Sequence, residues 1–377
     1  MRKSNIAIFI VAILIIIVLA ISFIPRDTNE TVKLGWISAL SGPVAYYGQP
    51  SLNGAQIAIE EINNEGGING KKVELIIEDG KCDPKEAATV AQKLINLDNV
   101  KVILGGHCSP ETLGAAPIAE QNKVILFASV STSPGITNAG DYIFRNSPVS
   151  TQMAIIMANF AYNEDFRRIA IITEQTAYAK PIVDTFKKEF ERLGGEITNF
   201  EEYPSEQNEF RDAITKIKNS DPDAIFISPQ SQQKADLIIR QIKELGIQKQ
   251  LFGNDVIGSN IGLALYQGNA EGLIFAQAQF DKEDPMYREF VAKYKAKYNV
   301  DEIPYEGWTA ESYDAVKLIA EAIKEVGYDS NKIKEYLYNV KDWKGASGSL
   351  TIDEFGDGSR KYGLGIIKDD TLQDYQP

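Results

Sequence analysis

VKLGWISALSGPVAYYGQPSLNGAQIAIEEINNEGGINGKKVELIIE, residues 32–78, is the stretch whose reading decides the fold. Val32 to Leu40 is a β-rich apolar run, Ser51 to Asn64 has the 3.6-residue spacing of a helix, and Lys72 to Glu78 is β-rich again. The glycines between them, Gly66-Gly67-Ile68-Asn69-Gly70-Lys71, mark a helix stop and a turn. They do not make a phosphate loop, because the spacing fails and Lys72 stands where Ser or Thr is required. Outward from this unit the alternation continues. Pro84 to Leu97 is helical, with Asp83 as N-cap and Pro84 at the first position, and Val102 to Leu104 and Val124 to Ala128 are short strands. Strands alternating with helices predict an α/β fold, built of right-handed βαβ units on parallel sheets covered on both faces.

The cadence restarts after Tyr142 to Arg145. Arg168 to Thr173, Glu196 to Tyr203, Ala224 to Ser228, Gln250 to Gly253 and Gly272 to Ala276 read as strands, with helices near Tyr178 to Leu193, Glu209 to Asn219 and Gln232 to Leu245. A chain of 377 residues exceeds one core, so a second lobe is expected, with the first crossing near Ser147 to Thr151. Pro285 to Tyr298 and Ala310 to Val326 are helices without strands of their own, as expected where the chain returns to complete the first lobe. The tail holds short strands at Ser349 to Ile352 and Leu364 to Lys368, around the turn-rich Asp353 to Gly358. The expected division is 1–26 for an N-terminal membrane segment, 31–148 and 282–351 for the first lobe, and 149–281 and 352–377 for the second.

Arg2 and Lys3 precede an apolar run from Ile6 to Ile24. About 19 residues at 1.5 Å each nearly span a bilayer core, and the basic flank on the N-terminal side places the rest outside the cytoplasm. The run reads as a signal-anchor, with cleavage near Ala20-Ile21-Ser22 as the alternative. A net charge of −13 with no basic run argues against nucleic acid as a partner. The two cysteines, Cys82 and Cys108, suit one disulfide outside the cytoplasm; free thiols, or a metal site with His107, are the alternatives.

In open α/β sheets ligands sit beyond the carboxyl ends of the strands. The loops there are rich in glycine and hydroxyls: Ser41 to Gly48, Gly105 to Pro110, and Ser129 to Pro134. Ser109, placed as an N-cap before Pro110, would offer a helix N-terminus to an anion, or cap the helix and no more. The hydroxyls of Ser129, Ser131, Thr132 and Ser133 suit a zwitterion, or their own loop. Asp255 suits an ammonium group, or a turn. His107, the sole histidine, has no nucleophile paired with it, no G-x-S-x-G elbow is present, and no metal or cofactor is called for. Binding is therefore expected rather than catalysis.

Ser41-Gly42-Pro43 with Tyr47-Gly48, Asn53-Gly54-Ala55, Asn63 through Ile68 with Gly70, and Cys82-Asp83-Pro84 followed by Cys108-Ser109 together resemble the leucine/isoleucine/valine-binding proteins of ABC importers. These belong to the type I periplasmic-binding-protein family. The resemblance extends to Tyr313-Asp314-Ala315-Val316. It implies two Rossmann-like lobes joined by a three-crossover hinge. It also implies a carboxylate held by Ser109 and Thr132, an amine held by Thr132, the Val130 carbonyl and Asp255, a cleft lined by Tyr47 and Tyr178, and a disulfide between Cys82 and Cys108. Two departures stand out. Asp255 replaces a frequent Glu, and Pro229-Gln230-Ser231-Gln232-Gln233 stands where leucine binders offer aromatics, an unsuitable wall for an aliphatic side chain. Trp308 belongs either to the hinge or to the core. The expected function is an extracytoplasmic substrate-binding protein that takes an amino acid or analogue and docks on ABC permease subunits. A membrane-anchored sensor, an amide or small-carboxylate binder, and an extracytoplasmic hydrolase are the rivals.

Overall fold

A computed structural model describes residues 31–42 and 44–375. The expected membrane run lies outside them; among the described residues no helix is long and apolar enough to cross a membrane.

Five strands, β1 (Val32–Ser38), β2 (Val73–Asp79), β3 (Val102–Gly105), β4 (Ile125–Ala128) and β5 (Ile143–Arg145), form the first sheet in the order β2-β1-β3-β4-β5. Every pairing in it is parallel. Its central strands β3 and β4 are apolar and buried throughout because both faces are covered, whereas the edge strand β2 carries Glu74, Glu78 and Asp79. The helix Ala45–Asn64 lies on one face with Pro285–Tyr298, Glu306–Val326 and Ser330–Tyr338, and Pro84–Asn96 and Ser109–Gln121 lie on the other. The two late helices thus pack where their lack of partner strands predicts. Asp83 caps Pro84–Asn96 as expected, its side chain accepting the N–H groups of Lys85 and Glu86 at 2.9 Å.

The second sheet comprises β6 (Arg168–Glu174), β7 (Glu196–Tyr203), β8 (Ala224–Ser228), β9 (Gln250–Gly253), β10 (Ile274–Ala278), β13 (Tyr362–Lys368) and β14 (Thr371–Tyr375), ordered β14-β13-β10-β9-β8-β6-β7. Strands β6 to β10 pair in parallel, but β13 and β14 are antiparallel additions at the edge, so this sheet is mixed rather than purely parallel. Asp369 and Asp370, both at positive φ, form the two-residue turn that folds β14 back on β13, the backbone that suits a tight hairpin. A small hairpin, β11 (Trp343–Gly345) with β12 (Gly348–Leu350), stands apart.

The first helix differs from its expected extent. It begins at Ala45 rather than Ser51 and runs through Gly48 and Pro50. Tertiary packing overrides local propensity here, since Tyr47 and Pro50 are buried and the helix presses so close to β1 that a Cβ on Gly48 would lie 1.9 Å from the Ala39 carbonyl oxygen. The helices Ser150–Asn163, Asn260–Tyr266 and Ser330–Tyr338 were not expected.

The chain passes between the sheets after β5, after β10 and after β12. Polar side chains bolt the first and third passages together. Arg145, fully buried, pairs with Asp357 at 2.7 Å and donates to the Ser133 carbonyl and the Thr137 hydroxyl at 2.7 Å each. Arg360 donates to the Asn146 carbonyl at 3.0 Å and lies 3.4 Å from Glu311, whose other oxygen accepts the Ser147 hydroxyl at 2.6 Å.

Cys82 and Cys108 are joined, with Cα atoms 5.4 Å apart, which removes the free-thiol and metal alternatives. The bond ties the loop after β2 to the loop after β3. Replacing both cysteines by alanine is expected to lower unfolding stability by about 3 kcal/mol, measured as a shifted urea midpoint; an unchanged midpoint would contradict a structural role.

Candidate functional site

The polypeptide loops that leave β1, β3 and β4 face those that leave β6, β8 and β9 across the cleft between the sheets, the place where open α/β sheets bind ligands. Tyr47, Ser109, Val130, Thr132, Tyr178 and Asp255, the six residues singled out from the sequence, all line one cavity there. His107, Cys108, Ser131, Gln230, Val256 and Trp308 complete its wall, around about 360 Å³ of space free of protein atoms and partly open to solvent.

On the first lobe, β3 ends at Gly105, whose φ is +104° and whose Cβ position lies 2.1 Å from the Ile37 carbonyl oxygen. Only glycine fits this turn, which swings the chain into the short loop that leads to the helix Ser109–Gln121. Ser109 is not the N-cap; Cys108 is, and Ser109 opens the helix. The cause is Glu111, whose carboxylate accepts the N–H groups of His107 at 2.8 Å, Cys108 at 3.2 Å and, across the disulfide, Cys82 at 2.8 Å. Burial raises the Glu111 pKa to about 7 against these three hydrogen bonds. The N–H groups just before the helix therefore already serve one carboxylate, and Pro110 brings no N–H. The Ser109 hydroxyl accepts the Ser133 N–H at 3.2 Å, which leaves its own proton to donate.

The hydroxyl-rich loop after β4 divides its labour. Ser131 donates to the Gly106 carbonyl at 2.5 Å and receives Thr112 at 2.8 Å. Ser129 meets Ser312 at 3.1 Å, and Ser133 accepts the Gly135 N–H at 3.3 Å. These three satisfy the loop. The Thr132 hydroxyl oxygen is buried without a partner, and a buried polar group left unpaired is costly unless something arrives to bond it.

On the second lobe, Asp255 is 9% exposed and accepts the Tyr178 hydroxyl. Burial raises its pKa to about 6, opposed by that hydrogen bond and by the backbone N–H groups of Asp255 and Val256. Asn254 fixes the adjoining loop, donating to the Pro229 carbonyl at 2.8 Å. Burial lowers the His107 pKa to about 3, so this ring is neutral and brings no charge. Its Nε2 lies 3.4 Å from the Ser51 hydroxyl.

The two lobes touch directly. The Tyr47 hydroxyl donates to the Gln230 carbonyl. Trp308, half-buried, stacks on Tyr305 with ring centroids 5.3 Å apart and meets Tyr47 edge-on at 5.6 Å, which makes it cleft wall. Gln230, Val256 and Trp308 were absent from the expected set. The polar run after β8 signalled Gln230; Trp308 was expected in the hinge or the core, and the helix that carries it begins at Glu306 rather than Ala310.

The family described as "Periplasmic binding protein" matches residues 31–371. The chain is 30% identical over 331 residues to the leucine-, isoleucine-, valine-, threonine- and alanine-binding protein of Pseudomonas aeruginosa, covering 87% of each. It superposes at a TM-score of 0.83 and 28% identity on the branched-chain amino acid transporter substrate binding protein LivJ of Streptococcus pneumoniae in complex with isoleucine, covering 92% of this chain and 100% of that one. A solute binding protein of an ABC transporter from Rhodopseudomonas palustris, in complex with 3,4-dihydroxybenzoic acid, gives 0.81 and 26%, with 91% and 95% covered. Two sheets with the loops at their strand ends turned toward one cleft, and a match along nearly the whole described chain, make this protein a member of the periplasmic binding protein family.

Proposed function

We propose that the protein captures a free α-amino acid between its lobes and delivers it to the permease of an ABC importer. The observation that carries this reading is the pairing of opposite demands in one cavity. A buried carboxylate, Asp255, lines the second lobe, and an unpartnered Thr132 hydroxyl beside Ser109 lines the first. A zwitterion satisfies both: its ammonium displaces the Tyr178 hydroxyl as the partner of Asp255, and its carboxylate takes Ser109 and Thr132. The Val130 carbonyl is the second acceptor for the ammonium.

The moving bodies are residues 31–148 with 282–351, and 149–281 with 352–377, and ligand contacts on both sides favour the closed arrangement. The family works outside the cytoplasm; residues 1–26 hold this member to the membrane. Relatives named as amino-acid-binding proteins of importers support transport over catalysis.

A thermal-shift screen of amino acids tests the reading, since a ligand at a hundred times its Kd stabilises the folded state by about 2.7 kcal/mol. The same ligand should show a defined pH dependence. The Asp255 pKa of about 6 is lowered when an ammonium binds, so below pH 6 binding must first expel a proton. Affinity is expected to fall by up to about tenfold per unit as the pH drops below 6, and to be flat from 7 to 8. Titration calorimetry reads this; affinity independent of pH from 5 to 8 would contradict the clamp.

A further inference from the structure

We propose that Gln230 selects amino acids with a neutral, hydrogen-bonding side chain, hydroxyl or carboxamide, over branched aliphatic ones. This rests on the amino-acid reading above and names the part of the ligand that reading leaves open. With Ser109 and Thr132 committed to the carboxylate, and Asp255 and Val130 to the ammonium, the ligand side chain is left a wall in which Tyr47, Tyr178, Val256 and Trp308 supply apolar surface and His107 and Gln230 supply polar atoms. Gln230 is 9% exposed, and its amide oxygen is buried without a hydrogen-bond partner. Its backbone is fixed on both sides. The backbone N–H donates to the buried Glu174 at 2.8 Å, and the carbonyl accepts the Tyr47 hydroxyl from the opposite lobe, so closure brings this amide against the occupant. His107 adds a second group of the same kind, its Nδ1 also buried and unpartnered.

An aliphatic side chain sealed in this cavity would leave the amide dry and unpaired, a loss that a site built for a hydrogen bond converts into rejection. A charged side chain fares no better. Among the described residues lining the cavity Asp255 is the sole charged one, and the ammonium takes it. The rings of Tyr47 and Trp308 accept the remaining carbon atoms of a short polar side chain.

The test uses two isosteric pairs, threonine against valine and asparagine against leucine, titrated calorimetrically into the full chain in mild detergent after removal of co-purifying ligand. The parent protein is expected to bind the polar member of at least one pair about tenfold or more tighter, and the aliphatic member of neither pair preferentially. Gln230→Met, close in shape and lacking the amide, should shrink or reverse that ratio. Preference for valine or leucine in the parent, or a ratio unmoved by Gln230→Met, overturns the role of Gln230 while the amino-acid reading stands. Should Gln230→Met fail to fold, the parent ratios alone decide. Absence of binding by any α-amino acid overturns both.

Discussion

Asp255→Asn is expected to weaken amino-acid binding by roughly thirtyfold or more while leaving the fold intact. The substitution keeps the planar shape and an acceptor for the Tyr178 hydroxyl but removes the charge that an ammonium requires. Removing one partner from a desolvated charged pair costs about 2–5 kcal/mol, and each 1.4 kcal/mol is tenfold in affinity. The apo protein should gain stability if anything, because a buried carboxylate whose pKa is lifted to about 6 is held at a cost. Calorimetric titration gives the affinity and thermal unfolding the stability. A variant that binds as tightly as the parent would remove Asp255 from the clamp.

Arg145→Met should be the most damaging single change outside the cleft, by about 3–5 kcal/mol. The guanidinium sits fully buried where the first and third passages meet, bonded to Asp357, the Ser133 carbonyl and Thr137. Methionine fills much of the space but strands the Asp357 carboxylate in a place from which water is excluded, and a buried charge without its partner carries the full desolvation penalty. Adding Asp357→Leu should recover part of the loss, because an apolar pair replaces the charged pair rather than breaking it. Urea unfolding measures both variants; a shift under about 1 kcal/mol for the single variant would contradict a bolted hinge.

The alternation of strands and helices was legible because apolar β-rich runs such as Ala224–Ser228 are short and sharply bounded, and amphipathic helices such as Gln232–Glu244 have one buried side. Ser150–Asn163 escaped because its Met and Ala residues carry little periodic contrast; buried as it is against the second sheet, it has no strongly polar face to mark it. The hairpin to β14 escaped because Asp369-Asp370 is a weaker turn signal than Asn-Gly. The cleft was readable in part. The loops at strand ends hold five of the six residues that line the cavity and the family resemblance adds Tyr178, yet the role of Ser109 was misplaced by one position. The capping signal, Glu111 three residues after Cys108, was hidden by a cysteine at the cap. Which loop hydroxyl stays free depends on cross-loop bonds, such as that of Thr112 to Ser131, that no linear pattern carries.

The central claim, a zwitterion held by a carboxylate on one lobe and by hydroxyl donors on the other, is tested most directly by removing the amine from the ligand rather than the carboxylate from the protein. The strongest amino-acid binder and its 2-hydroxy-acid counterpart, which keeps the carboxylate and side chain but lacks the ammonium, would be titrated into the ligand-free protein at pH 7.5. The clamp of Asp255 predicts a hydroxy acid weaker by about thirtyfold or more. Equal affinity for the two would contradict it and make the site a carboxylate receptor indifferent to the amine.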